Sequence, residues 1–287
     1  MRGLGPSNAI RRKLRLHDFY KAIKYQTVTL SVGKSSLRAA IQLTLPKEHG
    51  SWSLALEPVA FGLLVAPSAA GAALAVAAVS GFFLRRPIKL ALSARQDARQ
   101  PLAILCMAVL VFAALSGLFL AARFGASGGL WPLLPAVLAG GVFAWCDDRN
   151  AAREGAAEVA GAVTFGILPA AFGALAGWNV AASLALAAVM LVRSVPTVLT
   201  VRTCLRVLKG QAFSIAPAVA AAAAGIFLAV WLMAMRLAPW TAVVFALVFG
   251  VRTASLLLWR PRLAPKTIGI TEAFLGVLMV LVLALTW

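Results

Sequence analysis

The sequence predicts an all-α protein, a polytopic bundle of about nine transmembrane helices with its N-terminus inside the cell and its C-terminus outside. Hydrophobic residues make up 62% of the 287 residues and the mean hydropathy is +0.91. Soluble domains are only about 45–50% apolar. From residue 52 onward, apolar runs follow one another at close to the roughly 20 residues that cross a bilayer. The composition therefore excludes a soluble domain.

Residues 1–45 differ in composition from the rest of the chain. They are rich in Arg and Lys and contain a single acid, Asp18, and they lack the apolar core of a secretory signal. We expect a disordered basic tail held near anionic headgroups. An organellar presequence, which is also Arg-rich and poor in acids, and an upstream start codon are the alternatives. The nine-helix transmembrane domain is expected over residues 46–287.

The apolar runs place the nine helices in order along that domain. The first two are short and are joined only by a small-residue stretch that begins at Pro67. The later runs are separated by loops that contain charged residues, glycine or proline. The predicted spans are residues 52–68, 70–87, 102–121, 130–146, 159–176, 179–199, 212–235, 239–258 and 268–286.

The orientation follows from the distribution of basic residues. With the N-terminus inside, only Arg123 and Arg236 of the 27 Lys and Arg residues fall on the outer side. The positive-inside rule therefore predicts an N-in, C-out protein of the cell inner (cytoplasmic) membrane. It also explains the net charge of +18 without a nucleic-acid partner. Merging or splitting a span would destroy this asymmetry, so the charges support the helix count independently of hydropathy.

The nine acidic residues share this inner side, in the N-terminal segment, the inner loops or the inner ends of helices. They are Asp18, Glu48, Glu57, Asp97, Asp147, Asp148, Glu154, Glu158 and Glu272. A pump or ion-coupled transporter needs polar groups near the midplane and a path to both faces. A site that opens only to the cytoplasm needs neither, so a transporter is the third choice of function.

Residues 145–158, between the fourth and fifth spans, hold four of the nine acids. If this segment is helical, Asp147, Glu154 and Glu158 form one stripe. Like charges four residues apart destabilise a helix, so the stripe needs a partner: a metal ion, arginines from other helices or a cationic ligand. The candidate metal ligands, for Mg²⁺, are Asp147, Asp148, Glu154 and Glu158.

The start of the first helix carries a polar stripe as well. His49, Ser53 and Glu57 recur every four residues, and Glu57 lies where an ionised side chain costs about 2–3 kcal/mol unless it is paired or solvated. Either His49 and Glu57 are catalytic acid–base or ligand-binding groups in a cavity, or Glu57 forms a salt bridge with an arginine. Glu272 in the last span also needs a partner, and Arg252 is the candidate.

The sixth helix runs into a basic segment. Pro196 should kink this helix, and Arg193 precedes the kink within the inner leaflet. Arg202 and Arg206 follow at helical spacing. Arginine suits two-pronged contact with phosphate or carboxylate, so these residues either bind an anionic ligand or pair with the acids of residues 147–158.

Three segments resemble the YwiC-like family of bacterial integral membrane proteins. They are Pro46-Lys-Glu-His-Gly-Ser-Trp52, Arg153-Glu-Gly-Ala-Ala-Glu158 and Arg193-Ser-Val-Pro-Thr-Val-Leu-Thr-Val-Arg202. The resemblance covers about residues 45–287 and implies a membrane protein without implying an activity.

A remoter resemblance is to the UbiA-type prenyltransferases, which also have nine helices, the same orientation and a polar chamber that faces the cytoplasm. In those enzymes aspartate-rich motifs after the second and sixth helices bind magnesium and a prenyl diphosphate. Here the loop after the second span offers only Asp97, and the stretch after the sixth has no acid. The resemblance rests on helix count and sidedness, and fold does not imply function.

Two other functions are favoured over a transporter. The first is a UbiA-like transferase, or a binder of an isoprenoid, a polyprenyl (di)phosphate or a quinone-type lipid, with magnesium on the 147–158 carboxylates. The second is a non-catalytic accessory or assembly protein whose charges form an internal network. Acids lining an empty cavity would favour the first, and acids already paired with arginines the second. The candidate substrate-binding residues are Lys47, Glu48, Arg193, Arg202 and Arg206.

Overall fold

The computed structural model describes residues 49–92, 99–149, 155–260 and 264–287, and these residues form helices and turns without strands. Side chains are described from Trp52 onward. The predicted tail and the loop residue Asp97 lie outside the described residues. The helices are α1 (His49–Val65), α2 (Ala69–Ala91), α3 (Gln100–Phe124), α4 (Leu133–Asp148), α5a (Gly155–Gly166), α5b (Leu168–Leu175), α6 (Val180–Leu208), α7 (Ala216–Ala234), α8 (Trp240–Trp259) and α9 (Pro265–Thr286).

The predicted all-helical bundle is confirmed over the described part of the chain, which has nine helices when α5a and α5b count as one. Seven of them are long and apolar enough to cross a membrane: α2, α3, the combined α5, α6, α7, α8 and α9. The other two are shorter, with 17 residues in α1 and 16 in α4. The N-in, C-out orientation stays a prediction.

The two pieces of α5 meet at a proline. Pro169 has no backbone N–H, so it cannot donate to the carbonyl four residues earlier. The Ala170 N–H instead donates to the Ile167 carbonyl at 3.0 Å, which tightens the turn. The chain continues in the same span from Gly155 to Leu175.

The helix α6 lies at the centre of the bundle and contacts α1, α5, α7 and α8. In the most apolar 18-residue stretch of α6, 67% of the residues are buried, compared with 11% in the corresponding stretch of α3. Most of the α3 surface is therefore left for lipid, whereas α6 faces protein on most sides. With 29 residues, α6 is roughly 43 Å long, which exceeds the roughly 30 Å hydrocarbon layer.

Side chains from α1 and α5b form the core beside α6. Phe61 and Phe172 are fully buried, and Phe172 lies against Gly62, where an added Cβ would be 2.5 Å from its ring. The helix α1 also packs on α9. This packing brings the polar face of α1 toward α6 and α9.

Candidate functional site

A buried ion pair joins α1 to α6. The Arg193 side chain is 1% exposed and that of Glu57 is 6% exposed. Arg193 Nη1 lies 2.7 Å from Glu57 Oε2, and Nη2 donates to Oε1 at 2.9 Å. Ser53 Oγ, one turn earlier on α1, also donates to Glu57 Oε1. The salt-bridge alternative for Glu57 is therefore the one that the structure contains.

A second pair joins α8 to α9 and touches the first. Arg252 forms an ion pair with Glu272, and both side chains are largely buried. Arg193 Nη2 also donates to the backbone carbonyl of Glu272 at 2.9 Å, which links the two pairs. We call Glu57, Arg193, Arg252 and Glu272 the buried quartet. It holds two acids and two arginines, so its formal net charge is zero.

The neighbours of the quartet fit its shape and charge. A Cβ on Gly276 of α9 would overlap both the Glu57 carboxylate and the Arg193 guanidinium, so only glycine leaves room for the pair. The Phe249 ring centroid lies 5.5 Å from Arg193 Cζ, within cation–π range. Because an unpaired charge inside a membrane protein is costly, this packing makes the quartet mutually dependent.

The described acids of residues 145–158 lie on two helices. The helix α4 ends at Asp148, with Arg149 as its C-cap, and α5a begins at Gly155. Glu154 lies outside the described residues. Asp147 and Glu158 therefore lie on different helices.

Each of these two acids has its own basic partner. Arg85 Nη2 and Lys89 Nζ of α2 lie 2.9 Å and 2.8 Å from Asp147 Oδ1. The hydrogen bonds from Arg85, and then those from Lys89, hold the pKa of Asp147 below its ordinary value, against the opposing effect of burial. Arg202 Nη1 donates to Glu158 Oε2 at 2.8 Å. We call Arg85, Lys89 and Asp147 the α2–α4 cluster.

The described residues do not fit a magnesium ion. Octahedral magnesium needs several convergent oxygen ligands. Within the described ranges no group of three or more His, Cys, Asp or Glu side chains is close enough to hold a metal. Asp148 is exposed, and Asp147 and Glu158 accept hydrogen bonds from basic residues. Magnesium binding therefore stays a prediction.

A cavity of about 530 Å³ lies where the end of α6 meets the end of α8 and the starts of α7 and α9. Its walls include Val207, Leu257 and Ile268. Arg260 lines it too, and Arg260 Cζ lies 5.1 Å from the ring centroid of Phe213. Arg260 is the C-cap of α8 and has a left-handed backbone (φ 47°, ψ 51°), which is uncommon for a residue other than glycine.

The comparisons with known proteins point to one family. A model of the YwiC-like protein family matches residues 45–171. Over these residues the chain is similar to that family. No curated protein and no solved structure matches the chain. A relation to the UbiA-type prenyltransferases stays a prediction.

The YwiC-like segment ends within α5b, so it contains only part of the candidate residues. It includes Glu57 and the α2–α4 cluster but not Arg193, Arg252 or the cavity. The quartet thus joins a helix of the YwiC-like segment, α1, to helices that follow it.

The other predicted site residues are spread out. Lys47, Glu48 and the His49 side chain lie outside the described residues, so their predicted roles stay predictions. Arg206 is exposed near the end of α6. The sequence interpretation missed Arg260 as a site residue, because a basic residue at the end of a span is already explained by the positive-inside rule.

Proposed function

We propose that this membrane protein binds an anionic amphipathic lipid in the cavity at the end of α6. The volume, about 530 Å³, carries the proposal, since it falls within the roughly 300–1,000 Å³ of small-molecule sites. The apolar walls suit an isoprenoid chain, and the Arg260 guanidinium suits a phosphate. On the predicted orientation this cavity faces the cytoplasm.

The pairing of the acids favours binding over group transfer. A transferase of the expected kind needs carboxylates that are available to a metal or to a proton. Glu57, Asp147, Glu158 and Glu272 each have an arginine partner. A basic partner lowers the ability of a carboxylate to act as a base. The proposed function therefore contains no chemical step.

Protection of a cysteine tests the proposal. Cys204 lines the cavity, whereas Cys106 and Cys146 are on α3 and α4. In a C106S/C146S protein in nanodiscs, a polyprenyl phosphate should slow alkylation of Cys204 by N-ethylmaleimide in a saturable manner. Unchanged alkylation at every lipid concentration would contradict the proposal.

The variant Arg260→Gln should weaken this protection about 10-fold, since a hydrogen bond to a charged group is worth about 1.5–3 kcal/mol. Arg236→Gln is the matched control. Arg236 is also an exposed arginine with a positive φ, in the connection between α7 and α8. It should leave the protection unchanged.

The second candidate is the non-catalytic accessory or assembly protein, and the paired acids favour it. The same experiment separates the two. A cavity that takes no lipid would leave a charge network without a ligand, as an assembly role predicts.

A further inference from the structure

The cavity reaches only a short distance along the helices that form its walls. On its deep side the last lining residues are Thr203 on α6, Leu256 on α8 and Ile268 on α9. From Thr203 to Leu208 the α6 wall rises about 7.5 Å. Arg260 lies at the opposite end, where α8 stops, and we call this end the mouth. A lipid whose phosphate contacts Arg260 therefore has little depth for its chain.

A layer of polar contacts joins three of the walls one helical turn beyond the deep side. The hydroxyls of Thr200 on α6 and Thr253 on α8 share a hydrogen bond of 3.1 Å, and Arg252 on α8 forms the ion pair with Glu272 on α9. Each of these four residues is three or four positions from the deepest lining residue of its own helix, and residues at that spacing share one helix face. The layer therefore lies directly below the cavity, and we call these four residues the polar floor.

An apolar chain can pass the polar floor only by separating its contacts. Thr200 and Thr253 are 0% and 1% exposed, and the side-chain nitrogens of Arg252 make no hydrogen bond within the described residues. The charge of Arg252 therefore depends on its ion pair with Glu272. A hydrocarbon chain supplies neither a charge nor a hydrogen bond in exchange, so separating these partners is costly. On the remaining side, α7 packs along both α6 and α8. The floor therefore stops the chain.

We infer that the polar floor limits the length of the prenyl chain, and that the cavity selects short prenyl phosphates over long ones. This inference deepens the proposed lipid-binding function and rests on it. The floor determines specificity by closing the deep side, while Arg260 holds the phosphate at the mouth. A chain that is longer than the cavity has to bend within it or separate the floor, and both lower its affinity.

Prenyl monophosphates of increasing length test the inference in the C106S/C146S protein in nanodiscs, again by protection of Cys204 from N-ethylmaleimide. The probes are geranyl, farnesyl, geranylgeranyl and undecaprenyl monophosphate at equal mole fractions in the membrane. Cys204 follows the deepest α6 lining residue, so its alkylation reports on the deep side. The better of the geranyl and farnesyl compounds should protect at least about 10-fold more tightly than the undecaprenyl compound.

The outcomes separate the inference from the function on which it rests. If the undecaprenyl compound protects as tightly as the farnesyl compound, the chain leaves the cavity sideways, the inference is overturned and lipid binding stands. If no prenyl monophosphate protects Cys204, lipid binding itself is overturned.

Opening the floor should move the preference to longer chains. Arg252→Ala with Glu272→Ala removes both charges and leaves space below the cavity, so geranylgeranyl monophosphate should gain about 10-fold over the farnesyl compound. Glu57→Ala with Arg193→Ala is the matched control. It removes the other ion pair of the quartet, and Arg193 is about 15 Å from Thr203 along α6. The control should keep the native preference. The same preference in both double variants would overturn the inference.

A single substitution gives a second readout that does not require removing buried charges. Leu256→Trp shortens the cavity from its deep side and leaves the floor intact. It should weaken protection by farnesyl monophosphate about 10-fold more than protection by geranyl monophosphate. Equal losses for the two compounds would show that the chain does not reach the deep side, and would overturn the inference.

Discussion

Two sets of ion pairs in this molecule use the same chemistry in different surroundings. In the buried quartet, the side chains of Arg193 and Glu57 are 1% and 6% exposed. In the α2–α4 cluster, those of Arg85 and Lys89 are 45% and 53% exposed, and only Asp147 is buried. Water can replace a lost partner in the second set but not in the first. The same substitution should therefore have very different effects in the two places.

The largest effect is expected from breaking the quartet. Glu57→Leu leaves the Arg193 charge buried without its partner, which costs about 3–5 kcal/mol. The thermal denaturation midpoint in detergent should fall sharply, or the protein should fail to accumulate.

The control for this prediction removes both charges. Glu57→Leu with Arg193→Met leaves no unpaired charge, and such replacements are often close to neutral. It should recover much of the lost stability. If Glu57→Leu alone were as stable as the native protein, Glu57 and Arg193 would not be energetically coupled.

A smaller loss of stability is expected from Gly276→Ala, because the added methyl group forces the side chains of the quartet apart without changing their charges. Overpacking costs about 1–3 kcal/mol. Gly269→Ala is the matched control on the same helix, because a Cβ there meets nothing within 4 Å. It should be neutral or slightly stabilising, since alanine favours a helix over glycine. Equal denaturation midpoints for the two variants would contradict the close packing at Gly276.

The smallest effect is expected from Asp147→Asn in the α2–α4 cluster, about 1 kcal/mol or less. Because hydrogen bonds from Arg85 lower the pKa of Asp147, its stabilisation is present above the ordinary Asp pKa of about 3.9 and is lost as the pH falls through the lowered pKa. Denaturation midpoints from pH 7 to pH 3 should differ between this variant and the native protein at neutral pH and converge below pH 4. Asp148→Asn, at an exposed neighbour, should follow the native curve.

The helices could be predicted because apolar length and charge sidedness are properties of continuous segments. The sixth span is predicted at residues 179–199, and α6 extends further, to Leu208, with Pro196 inside both ranges. A proline inside a membrane helix is tolerated where neighbouring groups compensate for the missing hydrogen bond. The carbonyl that Pro196 leaves without a donor is that of Val192, which lies at the contact of α6 with α7, 3.4 Å from a Cβ added to Gly225. Arg202 and Arg206, which the sequence predicts at helical spacing after Pro196, lie in the same helix.

The contacts of the site residues could be predicted only where a charged side chain is buried and so requires a partner of opposite charge. Glu57 and Glu272 had to be paired because of their depth, and the expected partner of Glu272, Arg252, is the one observed. The cavity could not be predicted, since it forms where the ends of four helices meet, between residues 203 and 268.

One measurement decides whether the ligand binds in the cavity or at the acids of residues 147–158. It is the protection of Cys204 by farnesyl monophosphate in the C106S/C146S background, compared between Arg260→Gln and Asp147→Asn. The cavity site predicts that protection weakens about 10-fold in Arg260→Gln and is unchanged in Asp147→Asn. Protection that is kept in Arg260→Gln and lost in Asp147→Asn would contradict it and move the site to the carboxylates.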